Sequence, residues 1–285
     1  MIQSDTIPDR IQLRRVRVIP TLLIDGRGRL VKTIRFGKRT YIGDPTNAVK
    51  IFNAKEVDEI VLLDIDATKE RRAPNYGLIE DVVSEAFMPV AYGGGIMSIE
   101  QIVRLYDCGI EKVVLSSALI DGSDLIATAA ARYGAQAIVV CLPVKRSFMG
   151  KSTVRVFGAK REIAGTPAEV ARRVVAAGAG EVIIYSVDRD GTFAGYDIPL
   201  VQQIAAAVDV PVVACGGARG LDDFRQAIAE AGCSAVAAGS LFVYRSETRG
   251  VLISYPRQED LRREIFEKLG GSVTFAGNVS QSSGR

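Results

Sequence analysis

Met88-Pro-Val-Ala-Tyr-Gly-Gly-Gly-Ile96 and its echo, Val210-Pro-Val-Val-Ala-Cys-Gly-Gly-Ala218, decide the fold. In each, a proline leads a short apolar run that ends in consecutive glycines. A helical stretch, a glycine turn and another apolar run follow. Glycines at the carboxyl end of a strand leave backbone N–H groups unscreened by side chains, a geometry that suits an anion, most often a phosphate. One Gly-Gly alone is more often just a tight turn. Two in matching contexts need a shared explanation.

Outward from these stretches the pattern is regular. Apolar runs predict strands over Arg15–Ile24, Glu59–Ile65, Met88–Tyr92, Lys112–Ser116, Ala137–Leu142, Glu181–Val187, Val210–Ala214 and Ala235–Ala238. Amphipathic spacing predicts helices over Pro45–Asn53, Asn75–Glu85, Ser98–Cys108, Ser123–Tyr133, Thr166–Ala177, Pro199–Val208, Leu221–Glu230 and Gln258–Lys268. Leu30–Phe36 reads as extended chain leading into a basic loop, and Lys145–Arg161 as a hairpin-like insertion. Strands that are apolar throughout and alternate with helices imply a parallel sheet buried on both faces.

The halves also match. Val90 to Gly94 answers Val212 to Gly216, and Glu59–Leu63 answers Glu181–Tyr185, each 122 positions on. A repeat that holds phase across strands, helices and loops predicts an α/β fold, a (βα)8 TIM barrel built from two half-barrel repeats. That single barrel is expected over residues 1–270, frayed at its N-terminus, with 271–285 a disordered tail. No GxGxxG follows the first strand, which argues against an open dinucleotide-binding sheet.

Composition excludes several classes. The 285 residues are 48% hydrophobic and 24% charged, with a net charge of +3 and no basic stripe, so a soluble protein without nucleic-acid partners is expected. No apolar run reaches the ~20 residues of a membrane span. Cys108, Cys141, Cys215 and Cys233 have no CxxC spacing and read as reduced thiols of a cytoplasmic protein. There is no histidine, so histidine triads, bases and metal sites are impossible. Neither a metal nor an organic cofactor is expected.

In such barrels function gathers where strands end. The first half offers Asp64, Gly94, Gly95, Ser116 and Ser117; the second offers Asp190, Gly191, Gly216, Gly217, Gly239 and Ser240. Each half could hold one phosphate through N–H and O–H donors, which predicts an elongated ligand with a phosphate at each end. The alternative is that small residues merely close the barrel top.

Five stretches carry a resemblance: Gly43-Asp-Pro45, Leu62-Leu-Asp-Ile65, Tyr92-Gly-Gly-Gly-Ile96, Ser186-Val-Asp-Arg-Asp-Gly-Thr192 with Gly195-Tyr-Asp197, and Ala214-Cys-Gly-Gly-Ala218. Over roughly Arg15 to Lys268 the chain resembles the cyclase subunit of imidazole glycerol phosphate synthase, the HisF family. The resemblance implies a half-barrel duplication, a ligand with two phosphates, and a HisH-like glutaminase partner whose ammonia travels through the barrel. Two departures stand out. The family's first catalytic acid falls on Leu23 and its second on Pro143, and neither side chain can transfer a proton. The family's asparagine after the third strand is Ser116. Asp25, Asp64 and Asp190 are the carboxylates that could substitute, although Asp25 is displaced by two residues at ~3.3 Å each.

At the opposite face, the resemblance maps the entrance of the ammonia channel onto Arg17, Glu59, Lys112 and Glu181, all of matching type. The same ring could simply plug the barrel base. Ala237-Ala-Gly-Ser-Leu-Phe-Val243 and Val251-Leu-Ile-Ser-Tyr-Pro256 resemble a HisF-like branch found in surface-polysaccharide gene sets beside a glutaminase and a sugar amidotransferase. The expected function is therefore a synthase subunit that binds a glutaminase and channels ammonia for sugar amidation. The alternatives are an authentic histidine-pathway cyclase, or a catalytically dead assembly scaffold.

Overall fold

The computed structural model describes residues 16–245 and 250–269. Eight parallel strands run in chain order: β1 (Arg17–Ile24), β2 (Ile60–Asp64), β3 (Val90–Gly93), β4 (Lys112–Leu115), β5 (Ile138–Arg146), β6 (Glu181–Ser186), β7 (Val212–Cys215) and β8 (Ala235–Ala238). Neighbours pair in sequence, and β8 returns to β1 with Ala235 opposite Arg17, so the sheet closes on itself. This is the (βα)8 barrel that the repeat predicts.

The helices between the strands are α1 (Pro45–Asn53), α2 (Tyr76–Ser84), α3 (Ile99–Asp107), α4 (Asp124–Tyr133), α5 (Pro167–Ala176), α6 (Ile198–Ala205) and α7 (Leu221–Ala229). A short α8 (Gln258–Leu261) widens into a π-type turn over Arg262–Phe266. Their starts are encoded locally. Asp44 accepts from the Asn47 N–H at 2.8 Å with Pro45 in the first turn, and Ser98 and Thr166 form capping boxes with Gln101 and Glu169.

Alternation along the strands makes two cores. Val18, Leu22 and Ile24 of β1 face the helices, where Phe52, Ile79, Ile102, Val174 and Phe224 cover the sheet. Ile19 faces the lumen with Val61, Ala91, Val139, Ile183, Val213, Ala235 and Ala237. The lumen is thus filled by small and branched side chains rather than left as a pore.

Four expectations shift. β5 runs on through Pro143 to Arg146 and folds back against Ser152–Arg155, because pairing with β4 ends at Val140 and a proline beyond it breaks no bond on that side. Leu30–Thr33 pairs with Arg39–Gly43 as a hairpin across a turn where Arg35 and Phe36 have φ of 51° and 57°. The exposed, basic second strand of this hairpin lacks the alternation by which a sequence shows a strand. α6 begins on the Asp197 cap and ends at Ala205, short of Val208. The closing helix keeps α-geometry only to Leu261. Arg15, the expected frayed start and the expected tail lie outside the described residues.

Phe224 has no exposed surface and sits against Tyr196 and Phe242, so Phe224→Ala should lower unfolding stability in urea by roughly 3–5 kcal/mol. Phe148, fully exposed at the tip of the β5 hairpin, should tolerate Ala within about 0.5 kcal/mol.

Candidate functional site

The carboxyl ends of the strands form a mouth with two cavities. The first, about 140 Å³, is lined by Asp64, Gly94, Gly95, Ser116 and Ser117 of the first half, with Leu23, Leu63, Pro143 and Tyr185. The second, about 10 Å³, is lined by Asp190, Gly191, Gly216, Gly217, Gly239 and Ser240. The first is roughly ten times the 10–15 Å³ that one water needs; the second matches a single water. Each half thus gathers its own set of sequence-predicted residues. Asp25 lines neither cavity.

The paired glycines are required by close backbone approach. Gly94, at φ +127°, would place a Cβ 2.5 Å from the Asp64 carbonyl oxygen. Gly216, at φ +96°, would place one 2.7 Å from the Ser186 carbonyl oxygen. No other residue type fits without moving a strand end.

All three candidate carboxylates are engaged. Asp25 accepts from the Arg27 and Arg29 N–H groups, each at 3.0 Å, and from the Arg29 guanidinium at 2.7 Å. Partial burial pushes its pKa up, but the Arg29 contacts outweigh this and hold it below the ordinary carboxylate value. Asp64 accepts from the Asp66 and Ala67 N–H groups at 3.0 and 2.9 Å and pairs with Arg72 at 2.8 Å. Burial nevertheless raises its pKa. Asp190 accepts from the Thr33 hydroxyl at 2.6 Å, the Phe36 N–H at 3.2 Å and the Tyr185 hydroxyl at 3.0 Å. It therefore latches the first hairpin and Phe36 over the barrel top, where Phe36 meets Tyr185 edge-on at 4.9 Å. Leu23 and Pro143 face the first cavity.

Gly195, Tyr196 and Asp197, of the motif that holds Asp190, make structural contacts. The Gly195 N–H donates to the Gly217 carbonyl at 2.8 Å, the Tyr196 hydroxyl donates to the Ala237 carbonyl at 2.9 Å, and Asp197 caps α6.

At the foot of the barrel, Arg17, Lys112 and Glu181 begin β1, β4 and β6, and Glu59 immediately precedes β2. Arg17 bonds both Glu59 and Glu181; Lys112 reaches the same carboxylates at 2.8 and 3.1 Å. The Glu59 and Glu181 side chains are only 4% and 6% exposed, against 20% for Arg17 and 22% for Lys112, so the cations cap buried anions from outside. Burial pulls the Arg17 pKa down, but Glu181 and Glu59 outweigh it and raise it above the usual arginine value.

The family model described as "Histidine biosynthesis protein" matches residues 17–248, which takes in all eight strands and both ends of the barrel. The chain belongs to this family. The chain is 46% identical, over 85% of its length and 96% of the relative's, to the "Putative imidazole glycerol phosphate synthase subunit hisF2" of Pseudomonas aeruginosa. It is 42% identical, over 86% and 97%, to the "Putative imidazole glycerol phosphate synthase subunit HisF" of Leptospira borgpetersenii. The "Imidazole glycerol phosphate synthase subunit HisF" of Alkaliphilus metalliredigens is 35% identical over 87% and 96%. The chain is HisF-like.

Several residues of this HisF-like mouth escape a reading of strand ends. Arg39 chelates Asp66, with its Nη1 at 2.6 Å, and holds that carboxyl down to about 2, binding the first hairpin to the β2 loop. Lys32 projects from the hairpin into the second half, where it is fully buried and donates to the Thr21 carbonyl. A lone lysine inside the apolar run Leu30-Val-Lys-Thr33 is the signal that could have found it. Among the described residues no group of three or more Cys, Asp or Glu could hold a metal ion, and no helix is long and apolar enough to cross a membrane.

Burial lowers the Lys32 pKa from 10.5 to about 8, against the opposing pull of Asp190 and Cys215. Between those values the unfolded chain keeps a proton that the folded chain has released, so stability rises with pH across that window. Lys32→Met should therefore stabilise the protein below pH 8 by up to roughly 3 kcal/mol, at about 1.4 kcal/mol per pH unit, and the gain should vanish towards pH 10.5. Urea unfolding of both proteins at pH 7 and pH 10.5 checks this.

Proposed function

We propose that this HisF-like chain is the barrel subunit of a glutamine amidotransferase complex in the cytoplasm. A HisH-like glutaminase docks at the foot, and its ammonia passes the ring of Arg17, Glu59, Lys112 and Glu181 into the lumen. One observation carries the reading: the four-residue charged ring is intact while Leu23 and Pro143 occupy the positions of the acid–base pair. Above the ring, Ile19, Val61, Ala91, Ala235 and Ala237 line the way towards the mouth. Neutral ammonia crosses such a lining, whereas ammonium would lose its hydration without a partner. Passage requires Arg17 or Lys112, the ring's more exposed members, to swing aside and the packed lumen side chains above them to part transiently.

The ammonia acceptor is then a sugar bound by a separate amidotransferase at the mouth, in surface-polysaccharide assembly. The glycine and serine turns hold a phosphorylated ligand that reports to the complex. The competing reading is an authentic cyclase, favoured by Asp64, a residue of the first cavity's lining whose pKa burial raises.

The two readings separate by assay. With ammonia and the ribulosyl aminoimidazole carboxamide ribotide, the chain should form no imidazole glycerol phosphate; rapid turnover would sink the proposal. In the complex with its glutaminase, Lys112→Ala or Glu181→Ala should lower glutamine-dependent transfer by roughly tenfold (about 1.4 kcal/mol). Undiminished transfer in both variants would leave the ring a structural plug.

A further inference from the structure

Beyond the barrel rim, β5 runs out to Arg146 and returns over Ser152–Arg155, with Val144 and Val154 paired and buried at the base of the hairpin. Hydrogen bonds close the turn between them. The Gly150 N–H donates to the Ser147 carbonyl at 2.9 Å, the Ser147 N–H to the Lys151 carbonyl at 2.8 Å, and the Lys151 N–H to the Ser147 hydroxyl at 3.1 Å. Phe148 and Met149 are thereby held at the apex, Phe148 fully exposed and Met149 91% exposed. Single exposed apolar side chains are common on soluble proteins, whereas an adjacent pair on a hydrogen-bonded apex marks an interaction site. We infer that this hairpin docks the chain on an anionic membrane surface, with Phe148 and Met149 inserted among the lipid headgroups. The inference is independent of ammonia transfer.

The charge around the apex identifies the occupant. Residues 144–163 carry six cations, Lys145, Arg146, Lys151, Arg155, Lys160 and Arg161, against Glu162 alone, a net +5. The whole chain is +3, so everything outside this segment sums to −2. Four of the six cations are exposed, Lys145 and Arg155 are half-buried, and among the described residues none of the six forms an ion pair. Asp188 takes the Arg146 backbone N–H at 2.7 Å and leaves the guanidinium to solvent. An apolar apex inside a basic collar matches the layering of a bilayer surface. The acyl boundary receives the apolar side chains, and the anionic headgroups receive the cations, each strengthening attachment by about fivefold.

Other occupants fit less well. A stable protein interface needs about 800 Å² from each partner, and two side chains of at most about 250 Å² each fall short of it. A second copy of this chain would bring its own +5 against the first. A nucleic acid would use the cations but offer nothing to the methionine, which has no ring on which a base could stack. Val156, Phe157 and Gly158 of the same excursion line the first cavity, so a hairpin seated on lipid holds that cavity beside the membrane.

Co-sedimentation of the full chain with vesicles tests this, using phosphatidylcholine with either no anionic lipid or about 30 mol% phosphatidylglycerol. The chain should bind the anionic vesicles at least about tenfold more tightly than the neutral ones at ~0.1 M salt, and largely leave them at ~1 M. Phe148→Ser with Met149→Ser should weaken that binding at least about tenfold, and Lys145→Glu with Lys151→Glu at least about twentyfold. Urea midpoints check that both variants fold. The sequence has no tryptophan, so Phe148→Trp puts a lone reporter at the apex. Its emission should shift to the blue on anionic vesicles and be quenched by lipids brominated in the acyl chain. Equal binding to both vesicle types, undiminished binding by the serine variant, or unshifted emission on bound vesicles would each overturn the inference. So would binding to duplex DNA without binding to vesicles, or a dimer on gel filtration that the serine variant abolishes. Glutaminase and cyclase assays do not enter these measurements, so their failure leaves membrane binding standing.

Discussion

Closure of the eight-stranded sheet is the constraint from which the other features follow. Once β8 pairs with β1, the barrel has an inside that water cannot share, and every inward side chain must be small or apolar or lie at an end. The lumen obeys this with alanines, valines and isoleucines. Charge is expelled to the two ends: at the mouth Arg72 and Arg39 hold Asp64 and Asp66, and at the foot Glu59 and Glu181 are tolerated only because Arg17 and Lys112 bind both. Donors and hydroxyls are expelled to the mouth. The two ends differ in chemistry because the wall between them allows none.

The same closure explains how a duplicated scaffold comes to have unequal halves. Gly94 and Gly216 serve identical backbone purposes, each lying against the carbonyl at the end of the preceding strand. What breaks the symmetry is the hairpin after β1, whose side chains reach into the second half. It sends Lys32 and Phe36 across the mouth, and Asp190 fastens it by three hydrogen bonds, from the Thr33 hydroxyl and the Arg35 and Phe36 N–H groups. One side is thereby occupied by the protein's own side chains, and the other remains a cavity.

Much of this was legible in the sequence. The barrel follows from eight apolar runs and a 122-residue repeat, because parallel strands buried on both faces leave an unmixed hydrophobic signal. The foot ring was legible as well, since residues at strand starts have a fixed place once the barrel is accepted. The hairpin strand Arg39–Gly43 was not, because it is exposed and basic and its pairing is dictated by Leu30–Thr33 rather than by its own pattern. Nor was the engagement of Asp25, Asp64 and Asp190. A carboxylate in a sequence carries no mark of whether Arg29, Arg72 or Tyr185 will claim it. The unequal cavities were hidden for the same reason: a repeat in sequence says nothing of what a neighbouring loop lays over it.

The pairing of Arg17 with Ala235 has a further consequence, in the order of events during synthesis. Contacts between successive βα units are local and can form as the chain emerges, but β1 cannot acquire its second neighbour until β8 has been made. Until then β1 presents a bare edge of unpaired N–H and C=O groups beside an open lumen, the kind of edge that pairs with other chains. The Tyr255 hydroxyl, which donates to the Val18 carbonyl at 2.9 Å, comes from a segment later still. The seam between β1 and β8 is therefore the last of the barrel's strand pairings that the growing chain can make.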